Sequence, residues 1–462
     1  MFMHDDTIAA ISTPIGSAGI GKIRLSGTEA INIASKIFKS IKGKDLKQVK
    51  AYTAHYGYII DPDTKKKADE VISIVYRNPN SFTGENVVEF DCHGGMVPLQ
   101  KVLDITLKNG ARLAEPGEFS KRAFLNGKLD LAQAEAIMEV INSKTERSLD
   151  MALGHLEGNL SNKIKGIKDK VIELYAHLEA AIDFPEDEIE GFNSADLDTK
   201  LNDVRVELET LLATSQQGKI YREGIKTVIV GKPNVGKSSL MNTLIEEKKA
   251  IVTDIPGTTR DIIEEYISID GIPLKVIDTA GIRETEDLVE QIGVKKAREY
   301  LDKADLILMM IDVIQGISEE DLKIYELIKD KPFILLINKT DLKEDFKIED
   351  YTKYFNKERI IKISVKEDTG IVDLKKAIIK EVLDEEIKSD DNIFISRSRH
   401  KNALEKALQA INRVLLSHKE KLPYDFYTID LNDCLHSLGE ISGETLSEDI
   451  IDRIFKDFCL GK

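Results

Sequence analysis

The chain has 462 residues, 42% of them apolar, with 65 Lys and Arg against 81 Asp and Glu and a formal charge of −16. That length calls for two or three domains, and the apolar fraction supplies ordinary buried cores and argues against global disorder. A protein that coats duplex nucleic acid is basic overall, so any nucleic-acid contact here is local or made through a partner.

Residues 1–118 read as a small α+β domain. Strands are expected at Thr7–Ser12, Gly21–Leu25, Val71–Tyr76 and Val87–Phe90, bounded by Pro, Gly and Asn, with helices near Thr28–Phe38 and Val97–Lys108. The texture changes over 119–222. There Leu129–Leu156, Ile164–Ile182 and Leu197–Leu212 carry apolar residues at helical spacing, and Phe184–Phe192 reads as a connecting loop. Across 223–382, apolar runs alternate with helical segments. The predicted strands are Thr227–Val230, Lys275–Ile277, Leu306–Ile311, Phe333–Ile337 and Ile361–Ile363, and the alternation implies a parallel sheet flanked by helices. Residues 383–462 turn helical again through Ala403–Leu416, Leu431–Leu438 and Ile450–Phe458. The expected architecture is multidomain: an α+β N-terminal domain, an all-α domain made of two separated segments, and an α/β P-loop (Ras-like) domain inserted between them.

Cys92, Cys434 and Cys459 are too few and too widely spaced for a disulfide scaffold or a zinc knuckle. The opening MFMHDDTIAA has no basic region followed by an apolar core, and Leu306–Ile311, the longest apolar run, is too short to cross a bilayer. The expectation is a soluble cytoplasmic protein.

Gly231-Lys232-Pro233-Asn234-Val235-Gly236-Lys237-Ser238 matches G-x-x-x-x-G-K-S, after the strand TVIV and before a helical stretch that begins Ser238-Ser239. Glycines let backbone N–H groups surround a β-phosphate; Lys237 would bridge the β- and γ-phosphates and Ser238 would ligate Mg²⁺. Asp278-Thr279-Ala280-Gly281 ends a strand and places Asp278 near Mg²⁺ through a water, with the Gly281 amide near the γ-phosphate. Asn338-Lys339-Thr340-Asp341 ends another. The Asp341 carboxylate accepts from the N1–H and N2–H₂ of guanine, whereas adenine sets acceptor against acceptor. Ile363-Ser364-Val365-Lys366 stands where a fourth, base-contacting loop belongs, with Val365 in place of the usual alanine. Four motifs in this order predict a GTPase. Ras-like enzymes orient water with a glutamine directly after D-x-x-G; this chain has Ile282, so another group must hold the water and another cation must offset transition-state charge.

Beyond these shared motifs, Asn234 and the run Thr253-Asp254-Ile255-Pro256-Gly257-Thr258-Thr259-Arg260-Asp261 resemble the MnmE (TrmE) family of tRNA-modifying GTPases. The resemblance implies a potassium ion beside the phosphates, held by Asn234 and by oxygens of Thr253, Ile255 and Thr258, in the space of an arginine finger. Thr259 would complete the Mg²⁺ shell. The family's water-orienting acid falls on Glu290, in Val289-Glu290-Gln291-Ile292-Gly293. Without the family, a glutamate among Glu284, Glu286 and Asp287 reads as a solvated charge.

The resemblance covers the whole chain. It includes Thr13-Pro14-Ile15-Gly16, Ile23-Arg24-Leu25-Ser26-Gly27, Ser81-Phe82-Thr83-Gly84-Glu85-Asn86, Pro116-Gly117-Glu118-Phe119, the stretch from Arg122 to Leu131, and the closing Cys459-Leu460-Gly461-Lys462. It implies a tetrahydrofolate derivative, in the 5-formyl or methylene form, contacted by Arg24, Glu85, Lys128 and Lys462. Cations suit the glutamate tail and a carboxylate suits the pterin's donor edge. By residue type alone, Arg24, Glu85 and Lys128 are ordinary surface charges. Cys459 is a candidate nucleophile toward C6 of uracil or a one-carbon intermediate, or else a small side chain packed at a helix end. Cys92 and Cys434 read as core residues, and His93, before two glycines, as part of a turn. The family implies a homodimer through the N-terminal domains and a complex with MnmG. FAD and NADH belong to that partner, which would share the tRNA and help install a carboxymethylaminomethyl-type group at C5 of the wobble uridine (position 34). The competing reading is a ribosome-assembly GTPase acting as a binding switch.

Overall fold

The computed structural model describes residues 6–183, 194–247, 264–277, 299–343, 345–383 and 393–462. Two compact units emerge: residues 1–138, 156–172 and 432–462 form one, and residues 139–155 and 173–431 the other. Among the described residues no helix is long and apolar enough to cross a membrane.

The first unit holds a seven-stranded sheet of β1 (Ile8–Ile11), β2 (Ile20–Ser26), β3 (Phe38–Ser40), β4 (Thr53–Ile60), β5 (Lys67–Tyr76), β6 (Val87–His93) and β7 (Arg112–Leu113), ordered β3-β4-β5-β6-β2-β1-β7. Only the β1–β7 pair is parallel. Alternation along β2 buries Ile23 and Leu25 in a core shared with the helices Ala30–Ile37 and Met96–Lys108. Lys22 and Arg24 take the other face, where the register sets Arg24 opposite Glu89 and Lys22 opposite Asp91. The sequence reading passed over β3, β4 and β7. β3 and β7 are too short to show a period, and β4, TAHYGYII, mixes Tyr, His and Gly so that no apolar alternation stands out. Leu131, Ala134, Ile451, Phe455 and Phe458 form a smaller core that includes the helix Glu448–Lys456.

The helical run expected over Leu129–Leu156 breaks into Leu131–Asn142 and Glu146–Glu157. Thr145 and Ser148 cause the break. The Thr145 amide donates to Ser148 Oγ at 3.0 Å, and the Ser148 amide donates to Thr145 Oγ1 at 3.1 Å, so side chains cap a new helix start. The expected loop Phe184–Phe192 lies outside the described residues.

The second unit contains a six-stranded sheet of β8 (Ile225–Val230), β9 (Glu264–Ile269), β10 (Ile272–Ile277), β11 (Leu306–Asp312), β12 (Phe333–Asn338) and β13 (Ile360–Lys362), ordered β13-β12-β11-β8-β10-β9. β11 and β12 are buried along their whole length, which explains their unbroken apolar sequences. The sheet is not wholly parallel as expected, because β9 runs antiparallel to β10 on the edge. The connection is Asp270-Gly271, with φ of 48° and 85°. Left-handed values at both positions make the two-residue turn that matches strand twist. In the same unit the buried leucines of Ser194–Ala213 pack against Ser398–Lys419, which buries Leu404, Ala407, Ile411 and Val414.

Candidate functional site

β8 delivers the chain into the glycine loop, and the helix Lys237–Glu247 leads out of it. Gly231 and Gly236 have φ of 145° and 105°, and a Cβ at Gly236 would collide with Asn338 Nδ2. Only glycine fits there. Asn338, 2% exposed, ties the loops together. Its Nδ2 donates to the Val235 carbonyl at 2.8 Å, and its Oδ1 accepts from the Val365 amide at 3.2 Å. Lys339 Nζ donates to the Asn234 carbonyl at 2.9 Å and pairs with Asp312 at 2.7 Å. Ser364 Oγ donates to Asp341 Oδ1 at 2.6 Å. Thus the loops after β8, β12 and β13 form one connected rim at the carboxyl ends of parallel strands, where open α/β sheets bind ligands.

Asn234 (φ 63°), Ser238 and Ser239 are exposed on this rim, as is Lys366. Lys237 Nζ donates to the carbonyls of Gly231 at 2.9 Å and Lys232 at 2.7 Å. The amides at the start of the following helix add the positive end of its dipole, a setting that suits phosphate. The Ser238 hydroxyl, exposed at the same helix end, suits a hard cation such as Mg²⁺. Thr253, Asp254, Ile255, Pro256, Gly257, Thr258, Thr259, Asp278, Thr279, Ala280, Gly281, Ile282 and Glu290 lie outside the described residues.

The second candidate site lies on the first unit. The closing Cys459–Lys462 segment docks against β1: the Gly117 amide donates to the Cys459 carbonyl at 3.3 Å, and Arg24 Nη1 lies 3.5 Å from the Gly461 carbonyl. Gly461 has φ of 87°, and a Cβ there would sit 2.5 Å from the Ile11 carbonyl. Lys462 is thereby brought beside Arg24. Burial lowers its pKa, the Arg24 charge adds to that, and Cys459 and Glu89 oppose it. Arg24 Nε donates to Glu89 Oε1 at 2.9 Å, and its guanidinium sits 5.7 Å from the Phe82 ring centre and 5.6 Å from that of Phe119. Burial pushes the Glu89 carboxyl up, but Lys22 and Arg24 outweigh it and hold it below the usual range.

Glu85 accepts from Ser26 Oγ at 2.6 Å and from Arg122 Nη1 at 3.2 and 3.4 Å. Lys128 is exposed, donates to the Pro79 carbonyl at 3.2 Å, and runs past Gly84. Arg24 and Glu85 are therefore not free surface charges but fixed side chains on neighbouring elements. Sequence reasoning quoted Arg122 only as part of a motif; the structure shows it 1% exposed among carboxylates. Its spacing from Glu118, one helical turn, was the available signal. Cys459 is exposed, whereas Cys92 and Cys434 are core residues whose thiols burial pushes up to about 12. His93 pairs with Asp69 at 2.6 Å on the surface.

A strand, a glycine loop, a helix and an Asn-Lys-x-Asp loop bonded to it define a P-loop GTPase. Residues 7–128 match the family described as GTP-binding protein TrmE N-terminus, and residues 131–459 match the MnmE helical domain. The chain is 51% identical over 461 residues to the tRNA modification GTPase MnmE of Desulforamulus reducens, covering 100% of both chains. It is 50% identical over 458 residues to that of Alkaliphilus oremlandii, covering 99% of both. With the Bacillus subtilis relative of the same name it shares 48% over 458 residues, covering 99% of this chain and 100% of that one. The chain belongs to the MnmE/TrmE family of tRNA modification GTPases.

Proposed function

We propose that this tRNA modification GTPase is stimulated by potassium and works as a homodimer with a flavin- and NADH-using partner, MnmG. Together they install a carboxymethylaminomethyl-type group at C5 of the wobble uridine, with a tetrahydrofolate derivative as one-carbon donor. The observation that carries this reading is the full-length match to relatives named for tRNA modification, spanning both candidate sites.

On GTP binding, Lys237 exchanges the carbonyls of Gly231 and Lys232 for β- and γ-phosphate oxygens, and Ser238 and Thr259, with Asp278 through a water, would hold Mg²⁺, which supplies charge neutralisation at the phosphates when bound. Asp341 selects guanine, with Asn338, Lys339, Ser364, Val365 and Lys366 shaping the base pocket. Asn234, Thr253, Ile255 and Thr258 would hold K⁺, whose charge when bound offsets that developing between the phosphates. Glu290 orients the water that attacks the γ-phosphorus; the bond to the β–γ bridging oxygen breaks, releasing GDP and phosphate. Arg24, Lys128 and Lys462 suit the anionic tail of the folate and Glu85 its donor edge. Cys459, exposed beside Lys462, is the candidate nucleophile.

Two experiments test the reading. Replacing K⁺ by Na⁺ at equal ionic strength is expected to slow GTP turnover at least about tenfold, since an electrostatic group at the transition state carries that much or more; equal rates would remove the potassium site. Incubating the chain with the flavin partner, NADH, a reduced folate and unmodified tRNA should produce the C5-modified uridine, and its absence would remove the chemistry proposed here.

A further inference from the structure

Glu85 stands in an unusual setting for a carboxylate at a ligand site. Three acidic side chains, Asp6, Glu85 and Glu118, converge on one guanidinium, that of Arg122, which is 1% exposed. Nη1 donates to both Glu85 oxygens and to the Asp6 carbonyl at 3.1 Å, and Nη2 donates to Glu118 Oε1 at 3.0 Å and Asp6 Oδ1 at 2.7 Å. Arg112 takes up part of the excess negative charge, donating to Glu118 at 2.6 Å and pairing with Asp6 at 2.7 Å. Burial alone would lower the Arg122 pKa; the charge of Glu85, ahead of Glu118 and Asp6, raises it.

On its other side Glu85 Oε2 accepts from Ser26 Oγ, which also lies 2.7 Å from Thr83 Oγ1 with both hydroxyls buried. Both oxygens are therefore fixed by donors on β2 and on the helix Glu118–Leu125, while the side chain keeps 17% of its exposure. Lys128 passes beside the preceding Gly84.

We infer that Arg122 is a positioning residue for the folate site: its Nη1, shared between both Glu85 oxygens, acts with Ser26 to aim the remaining lone pairs of Glu85 at a ligand that presents N–H donors. The inference rests on the folate reading above. A lysine at 122 keeps one charge, but its single nitrogen cannot hold Glu85 while a second nitrogen holds Glu118 and Asp6, so orientation and charge are separable. Arg122 touches no ligand atom in this scheme and acts only through Glu85.

The test is a double-mutant cycle on the full chain, with 5-formyltetrahydrofolate as the probe, affinity read by calorimetry, and thermal unfolding read on every variant. Arg122→Gln takes the guanidinium from Glu85 and leaves Asp6 and Glu118 to share Arg112, which endangers folding, so Arg122→Lys is the working variant. Glu85→Gln is expected to weaken the probe about tenfold or more, and Arg122→Lys about tenfold, the worth of one well-aimed charged hydrogen bond. The decisive variant is Glu85→Gln with Arg122→Lys. If Arg122 acts through Glu85, adding the lysine to Glu85→Gln costs less than about twofold more. Equal losses in both backgrounds, or no loss on Arg122→Lys while Glu85→Gln weakens binding, overturn the inference and leave the folate site standing. Failure of the unaltered chain to bind the probe overturns both.

Discussion

Asn338→Ala removes the side chain that fastens the base loop to the phosphate loop. Two backbone groups lose their partners: the Val235 carbonyl, at 2.8 Å from Nδ2, and the Val365 amide, at 3.2 Å from Oδ1. An orphaned buried polar group costs about 1–3 kcal/mol. Val235 is fully buried and belongs near the top of that range, while Val365 is half-buried and within reach of water. Together they amount to about 3 kcal/mol of lost loop stability. A loop that must be re-ordered before nucleotide binds gives up the same free energy in affinity, so the GDP dissociation constant should rise about a hundredfold. Titration with a fluorescent GDP analogue reads this directly, and thermal unfolding with and without nucleotide separates weaker binding from a damaged fold. Asn338→Asp retains an acceptor for Val365 but sets a carboxylate oxygen against the Val235 carbonyl, and should bind no better than the alanine variant. An Asn338→Ala protein with affinity within about threefold of the original would refute the idea that this side chain couples the loops.

Three further perturbations give separate tests. Glu139, 7% exposed, accepts from Arg397 at 2.8 Å and Ser396 at 3.1 Å and meets His155 at 3.2 Å. Burial pushes its carboxyl up, but His155, Arg397 and His400 bring it down from 4.5 to about 2. A depressed carboxylate stabilises the fold above its unfolded pKa and loses that contribution as pH falls. Denaturant midpoints should therefore drop between about pH 4.5 and 2 by the equivalent of about 3 kcal/mol, and Glu139→Gln should flatten that limb; an unchanged limb would deny Glu139 the role. Glu290→Ala should cut GTP turnover about a hundredfold while leaving nucleotide affinity nearly intact, and a large loss of affinity would make its role structural. Gly461→Ala puts a Cβ 2.5 Å from the Ile11 carbonyl at a left-handed position. It should release the closing segment, seen as faster hydrogen exchange at the Gly117 and Lys462 amides, and unchanged exchange would show that the segment tolerates a side chain there.

What the sequence made legible was whatever is written in contiguous residues. The glycine loop is one example: its requirements at Gly231 and Gly236 are local backbone conformations, and the helix after it begins within the same motif. The Asp270-Gly271 turn was equally local and was overlooked, which is why β9 came as an unforeseen antiparallel edge. The break at Thr145 and Ser148 was hidden by the helical apolar spacing on both sides, since side-chain capping leaves that spacing intact. Other features were out of reach in principle. Arg24 meets Glu89 only because β2 and β6 pair in one register, and Arg122 meets Asp6 and Glu85 only after the helix Glu118–Leu125 packs beside the sheet. The Glu139 cluster gathers residues from the helices Leu131–Asn142 and Glu146–Glu157 and from the stretch at Ser396 and Arg397. No spacing rule announces such meetings, because they depend on tertiary packing that motif reading does not contain.

The function proposed for this GTPase is a part in the modification of wobble uridine. Mass spectrometry of nucleosides from digested tRNA, taken from cells with the gene, without it, and with it restored, tests that claim most directly. The C5-modified wobble uridine is expected to disappear on deletion and return with the gene. An unaltered nucleoside profile in the deletion strain would contradict it, leaving a GTPase whose substrate lies elsewhere.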